Sequence, residues 1–285
     1  MKFIKFMERK NNMEKGILYV VATPIGNLDD ITLRAIKILQ EVDLIAAEDT
    51  RHTLKLLNHL DISKPLISYH RHNEEVKSDI LIEKLKEGQN IALVSDAGTP
   101  GICDPGEEVI KKCIAEEINV VPIPGACAMI NSLICSGLNT KEFTFLGFLP
   151  LNKKSRKNKL EEIKNSNKTI IIYEAPHKLE TTLKDLKEIL NNRKIVLARE
   201  ITKIHEEFVR ENIDDLIEKS KNIKGEIVLI IEENDNISNE NKLNDLSIEE
   251  HYKHYEDKGY EKKEIIKLIA KDRNVNKNEI YKLFI

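Results

Sequence analysis

Ile91-Ala92-Leu93-Val94-Ser95-Asp96-Ala97-Gly98-Thr99-Pro100-Gly101-Ile102-Cys103-Asp104-Pro105-Gly106 runs from a strand-length apolar segment straight into a loop with three glycines and two prolines. Glycine lets main chain approach a ligand closely, and proline fixes the direction of the chain without bulk. A surface loop needs neither in such number. In an open α/β sheet, the loops leaving the C-terminal ends of strands build the ligand crevice, so this stretch predicts both an α/β fold and the edge that binds.

The flanking sequence repeats the pattern. Short β-branched runs at Ile17–Ala22, Leu44–Ala47, Leu66–Ser68 and Val120–Ile123 alternate with helical stretches at Thr32–Gln40 and Asp79–Glu87, the latter closed by Gly88. The loop after the first run, Thr23-Pro24-Ile25-Gly26-Asn27-Leu28-Asp29-Asp30, is a tight turn with Asp30 available as a cap. It lacks the GxGxxG turn, which disfavours a nicotinamide or flavin cofactor. The fifth run ends in Pro122-Ile123-Pro124-Gly125-Ala126-Cys127-Ala128, a rigid turn with small residues before a helix at Met129–Cys135. Ionisable residues crowd the other two exits, Ala47-Glu48-Asp49-Thr50-Arg51-His52 and Tyr69-His70-Arg71-His72-Asn73-Glu74, which places them at the crevice mouth, because unpaired charge is costly in a core. No Cys, His or carboxylate pattern completes His70-x-His72 as a metal site, so no metal is expected.

Further strand-like runs at Phe143–Phe148, Thr169–Tyr173, Ile195–Arg199 and Glu226–Glu232, with helices at Lys178–Leu190 and Asp214–Lys219, predict a second α/β domain. The expected organisation is an N-terminal extension over 1–15, an α/β domain over 16–125, a second over 126–233, a polar linker over 234–244 and a helical tail over 245–285. In the tail, Ile265, Leu268 and Ile269 share a helical face and Ile280, Leu283 and Phe284 begin another, which reads as a helix pair. Met13 lies just before the first strand and is an alternative start.

With 285 residues, 41% hydrophobic and 33% charged, the chain is long enough for more than one core and too charged for a membrane protein. A formal net charge of −3 excludes a uniformly basic nucleic-acid coat, so RNA contact would require a local patch. Cys103, Cys113, Cys127 and Cys135 show no CxxC spacing and read as reduced thiols of a cytoplasmic protein.

These segments in order resemble the RsmI-type small-subunit ribosomal RNA methyltransferases of the tetrapyrrole-methylase superfamily. The likeness spans nearly the whole chain: Val21 to Leu28, Ala47 to Arg51, Ser95 to Gly101, Leu146-Gly147-Phe148-Leu149-Pro150, Tyr173-Glu174-Ala175-Pro176-His177-Lys178-Leu179, Ala198-Arg199-Glu200-Ile201-Thr202-Lys203 and Lys224-Gly225-Glu226. Two positions depart from that pattern, Cys127 where serine is usual and Glu211 where glycine is usual. Cysteine keeps the volume of serine but is the weaker hydrogen-bond partner.

The resemblance implies the tetrapyrrole-methylase fold, two α/β domains with S-adenosylmethionine bound between them, and a homodimer. It implies contacts to that cofactor from Pro24, Gly26, Ser95, Asp96, Ala97, Gly98, Thr99, Cys127, Ala128, Tyr173 and Arg199. The implied reaction is methyl transfer to the ribose 2′-OH of a cytidine in small-subunit (16S) ribosomal RNA, either free or in the 30S subunit. Asp49 or Glu74 is then a candidate proton acceptor and Arg51 a phosphate clamp. The basic run Lys153, Lys154, Arg156 and Lys157, continued by Lys159, is the candidate RNA contact. Two alternatives share parts of this pattern: a small-molecule methylase of the same superfamily, and a nonenzymatic RNA-binding protein.

Overall fold

The computed structural model describes residues 14–190, 193–221, 223–234, 243, 246–273 and 275–284. The expected N-terminal extension as far as Met13, and most of the expected linker, lie outside the described residues. The described residues pack as two compact units, one drawn from Met1–Ser136, Leu197–Val209 and Lys224–Val228, the other from Gly137–Val196, Arg210–Ile223 and Leu229–Ile285.

In the first unit, Leu18–Val21 (β1), Leu44–Ala47 (β2), Leu66–Ser68 (β3), Ile91–Val94 (β4) and Val120–Ile123 (β5) form a sheet ordered β3-β2-β4-β1-β5, with every pairing parallel. Parallel neighbours need crossovers, and these carry Leu33–Glu41 (α1), Thr50–His59 (α2), Glu74–Lys86 (α3) and Glu107–Ala115 (α4). Alternate strand residues feed two cores. Leu18, Leu44, Ala46, Ile91 and Leu93 pack with Leu81, Leu85, Val109 and Cys113 of α3 and α4. Val21, Ile45, Ala47, Ala92 and Val94 pack on the other face with Ala35, Leu39 and Leu57 of α1 and α2. Burial on both faces is why the inner strands β1, β2 and β4 read as unbroken apolar runs.

The order of the strands fixes the crevice. The chain leaves β1 toward β2 and β3, then returns through β4 to β5, so the neighbouring strands β1 and β4 send their connections in opposite directions. Gly88, at φ +90°, ends α3 as expected. The α1 cap is Thr32, whose hydroxyl accepts from the Ala35 amide at 3.1 Å, and not Asp30, which belongs to a preceding 3-10 turn capped by Asn27.

After Ala128–Ile134 (α5) come Phe143–Phe148 (β6), Lys153–Lys164 (α6), Thr169–Glu174 (β7), Pro176–Leu190 (α7), Ile195–Arg199 (β8), Glu207–Val209 (β9), Ile213–Ser220 (α8) and Ile227–Ile231 (β10). The second sheet runs β6-β7-β10-β8-β9 and is mixed: β6 and β7 are parallel, β8 and β9 antiparallel. Strand β9 was not anticipated, being three residues long with an exposed first position. Helix α6 occupies the basic run, which carries too little apolar surface to announce itself by periodicity.

Among the described residues, the tail holds one helix more than the expected pair: Ile248–Glu256 (α9), Lys262–Asp272 (α10) and Lys277–Lys282 (α11). A capping box joins Ser247 and Glu250 at the start of α9. Ile265, Ile266, Ile269, Ala270 and Ile280 form the tail's own small core, backed by Tyr252, Tyr255 and Phe284. Within it, the buried His251 contacts Asp272 at 3.1 Å through Nε2 and accepts from Arg273 Nε at 3.2 Å through Nδ1, while the Tyr255 hydroxyl donates to Asp272 at 2.6 Å.

Candidate active site

Three of the sheet-end turns are tied to one another by a main-chain bridge and by threonine hydroxyls. Thr23 and Gly98 form an isolated bridge, with the Thr23 amide donating to the Gly98 carbonyl at 2.9 Å and the Gly98 amide returning to the Thr23 carbonyl at 3.1 Å. The Thr99 hydroxyl donates to the Ala126 carbonyl at 3.4 Å, and the Thr23 hydroxyl to the Ser95 carbonyl at 3.4 Å. Gly98 sits at φ +78°, and a Cβ there would lie 3.1 Å from Ile25 Cγ2, so no other residue fits without strain. Pro24, Gly26, Ser95, Asp96, Ala97, Gly98, Thr99, Cys127 and Ala128 therefore share one edge of one unit. Cys127 is the N-cap residue of α5 and makes no side-chain cap bond, in line with its weak acceptor sulfur.

A fourth segment reaches this edge. Lys203 and Thr202 lie over Gly26, where a Cβ would fall 2.3 Å from Lys203 Cγ and 3.1 Å from Thr202 Oγ1. Thr202 has φ +68° and a buried hydroxyl without a hydrogen-bond partner, an uncommon combination for a β-branched residue. Glu200 anchors the segment, its Oε1 accepting from Lys203 Nζ at 2.9 Å and from the Glu226 amide at 2.9 Å. Thr202 lies within the Ala198–Lys203 motif but not among the expected cofactor contacts, because only its backbone geometry sets it apart.

The ionisable residues on this edge are held by different partners. Asp49 caps α2: its carboxylate accepts from the Arg51 amide at 2.8 Å and from the Arg51 guanidinium at 3.1 and 2.7 Å. The side-chain hydrogen bond from Arg51 holds that carboxyl far below the usual carboxylate range, which makes it a poor proton acceptor. Glu74 is similarly committed. Its Oε1 accepts from the Gly106 amide at 2.8 Å, the Tyr69 hydroxyl at 3.1 Å and the Glu108 amide at 3.4 Å, so it caps α4, whose own N-cap is Gly106. Arg51 remains 88% exposed at its side chain, open to a phosphate.

Glu48 stands differently. Its Oε2 accepts one bond, from the Asp96 amide at 3.3 Å, while the Asp96 carboxylate accepts from the Asp49 amide at 3.0 Å. Burial pushes the Glu48 carboxyl up, with Asp104 and Asp96 adding to the rise and the Asp96 amide and Arg71 opposing it. Asp104 is raised as well, again chiefly by burial. Arg71 spans the loops by donating to the Cys103 carbonyl. Among the described residues, no three His, Cys, Asp or Glu side chains converge on a metal position.

The remaining candidates divide. Arg199 is paired across β8 and β9 with Glu207, Nε to Oε2 at 2.7 Å, so its guanidinium serves the sheet rather than standing free for a cofactor. In the second unit, Tyr173 lies edge-on to Phe145 and Phe148 with ring centroids 4.8 and 5.8 Å away. Glu174 accepts from the Ala175 amide at 2.8 Å and the Thr182 hydroxyl at 2.6 Å, with Pro176 at the first position of α7, so the Tyr173–Leu179 motif is a helix-start device. Arg156 leaves the RNA-facing set: it donates to Asp185 at 2.8 Å and to Thr182 at 2.8 Å, with a side chain only 17% exposed. Lys153, Lys154 and Lys157 are exposed. The first two occupy the first turn of α6 with no acidic residue beside them, against the helix dipole, and that placement favours an anion.

Residues 17–217 match the family model of the tetrapyrrole (corrin/porphyrin) methylases. A ribosomal RNA small subunit methyltransferase I of Halalkalibacterium halodurans is 50% identical over 275 residues, covering 95% of each chain. The Bacillus subtilis protein of the same name is 48% identical over 280 residues, covering 96% of each. The fold is similar to that of a Thermus thermophilus uroporphyrin-III C-methyltransferase solved with S-adenosylhomocysteine, with a TM-score of 0.56 at 14% identity, covering 76% of this chain and 97% of that one. Identity of that extent over nearly full length places the chain in the ribosomal RNA small subunit methyltransferase I family, a branch of the S-adenosylmethionine-dependent tetrapyrrole methylases.

Proposed function

We propose that the protein transfers a methyl group from S-adenosylmethionine to a ribose 2′-OH of a cytidine in small-subunit ribosomal RNA. The observation that carries this reading is the interlocking of the turns at 23–26, 95–99 and 125–127 at the reversal of strand order, in a chain half identical to ribosomal RNA methyltransferases.

The residues present suit the donor. Gly98 and Gly26 hold bare main chain where a side chain would intrude, and the Thr202 hydroxyl is a buried polar group without a partner beside the Gly26 turn. Asp96 and Asp104 give the edge a negative character that suits a sulfonium. The donor supplies a methyl group already activated by positive sulfur. What this chain must add is alignment of the acceptor and removal of its proton. The exposed Arg51 and the lysines Lys153, Lys154 and Lys157 supply phosphate contacts that orient RNA. Action as a homodimer in the cytoplasm completes the reading, supported by family membership; no described helix is long and apolar enough to cross a membrane.

The test is reaction of purified protein with methyl-labelled donor and small ribosomal subunits or their free RNA, then digestion to nucleosides and mass spectrometry. Label on the ribose of cytidine is expected. Label on a base, or transfer to tetrapyrroles and not to RNA, refutes the reading.

A further inference from the structure

We propose that Glu48 is the residue that takes the proton from the acceptor hydroxyl. The inference rests on the methyl-transfer reading above. Three carboxylates stand where β2 and β3 deliver the chain to the crevice edge, and hydrogen bonding separates them. Asp49 is consumed as the α2 cap and the Arg51 partner. Glu74 accepts three bonds, all through Oε1, from the Gly106 and Glu108 amides and the Tyr69 hydroxyl, and is anchored by them to the start of α4, where Glu48 accepts one. Glu48 follows Ala47, the last residue of β2, and is held on one side only: Oε2 takes the Asp96 amide, and Oε1 accepts no bond among the described residues.

That arrangement suits proton transfer. The Asp96 amide contact, at 3.3 Å, bears on one oxygen and leaves the second for a hydroxyl. Its neighbours are Asp96 and Asp104 from the loop after β4, Arg71 from the loop after β3, and the closed Asp49–Arg51 pair at the start of α2. Burial and the two aspartates strengthen Glu48 as a base, with Arg71 restraining the effect. In the step, the ribose oxygen bonds to the methyl carbon and the carbon–sulfur bond breaks with its electron pair going to sulfur. The hydroxyl proton moves to Glu48 Oε1 and afterwards to water.

Glu48→Gln keeps an oxygen for the Asp96 amide and removes the basic site. With small ribosomal subunits as acceptor, kcat is expected to fall about a hundredfold or more. The dissociation constant of S-adenosylmethionine, by calorimetry without RNA, and the melting temperature should stay near wild type. The rise of kcat with pH on its acid side, present in the wild type, should vanish in Glu48→Gln and return at lower amplitude in Glu48→Asp. Unchanged kcat in Glu48→Gln, or an acid limb that persists in it, overturns the role. A loss of ligand affinity equal to the loss of rate makes Glu48 a counter-ion of the donor and also overturns it. If the wild type itself transfers no methyl to ribosomal RNA, the functional reading falls first and this inference with it.

Discussion

Replacing Glu74 by alanine tests whether that carboxylate is a structural clamp or a proton acceptor. The structure gives it two good donors, the Gly106 amide at 2.8 Å and the Tyr69 hydroxyl at 3.1 Å, and the Glu108 amide at 3.4 Å adds little. A hydrogen bond to a charged group contributes about 1.5–3 kcal/mol, so two give roughly 3–6 kcal/mol. Water entering beside the partly buried Glu74 recovers part of that, leaving about 3 kcal/mol. For a chain of this size, each kcal/mol moves the melting temperature by roughly 2–4 °C, so a fall on the order of 6–12 °C is expected, measured by calorimetry. Amide exchange should quicken at residues 106–109, where α4 loses its cap. Glu74→Gln, which keeps an acceptor oxygen for Gly106, should lose about 1 kcal/mol and most of its effect on exchange. An unchanged melt in Glu74→Ala refutes the clamp. A Glu74→Gln enzyme that melts like wild type and cannot transfer methyl makes Glu74 the acceptor after all.

Gly98→Ala imposes about 1–2 kcal/mol of left-handed backbone strain, and its Cβ meets Ile25 at 3.1 Å; titration calorimetry with S-adenosylhomocysteine should show binding weakened roughly tenfold. Changing Lys153, Lys154 and Lys157 together to Gln should weaken RNA binding and reduce the slope of log K against log salt by about 2, at roughly 0.7 per single-strand phosphate lost. Arg156→Ala, by contrast, should lower the melting temperature through loss of the Asp185 and Thr182 bonds while leaving the salt slope alone. In the tail, burial lowers the His251 pKa against the opposing pull of Asp272. The neutral form is favoured on folding, so its contribution is complete above the unfolded value near 6.5 and is lost as pH falls through the lower folded value. Chemical shifts of residues 248–284 should therefore report tail loosening under mild acid, and a His251→Gln tail should lose that dependence.

Much of the fold was readable because burial on both faces writes parallel strands as unbroken apolar runs. Leu44–Ala47 and Ile91–Val94 have the expected bounds. Helix α6 was hidden because most of its side chains face water, and β9 because its three residues take their strand form from pairing with β8. The glycine and proline turns were legible as a crevice edge, since backbone-shaping residues declare themselves by type. The division of labour among carboxylates was not. Asp49, Glu74 and Glu48 are alike in a sequence, and they differ only in which amides their oxygens meet after folding. Arg156 and its lysine neighbours differ in the same way, by the presence of Asp185 on the adjoining helix.

A crystal structure with S-adenosylhomocysteine is the most direct check on the claim that these knitted turns hold the methyl donor. The ligand should lie against main chain at Gly26, Gly98 and Ala126, with its sulfur on the side of the edge where Glu48 stands. Ligand density elsewhere, with those turns facing only solvent, contradicts it.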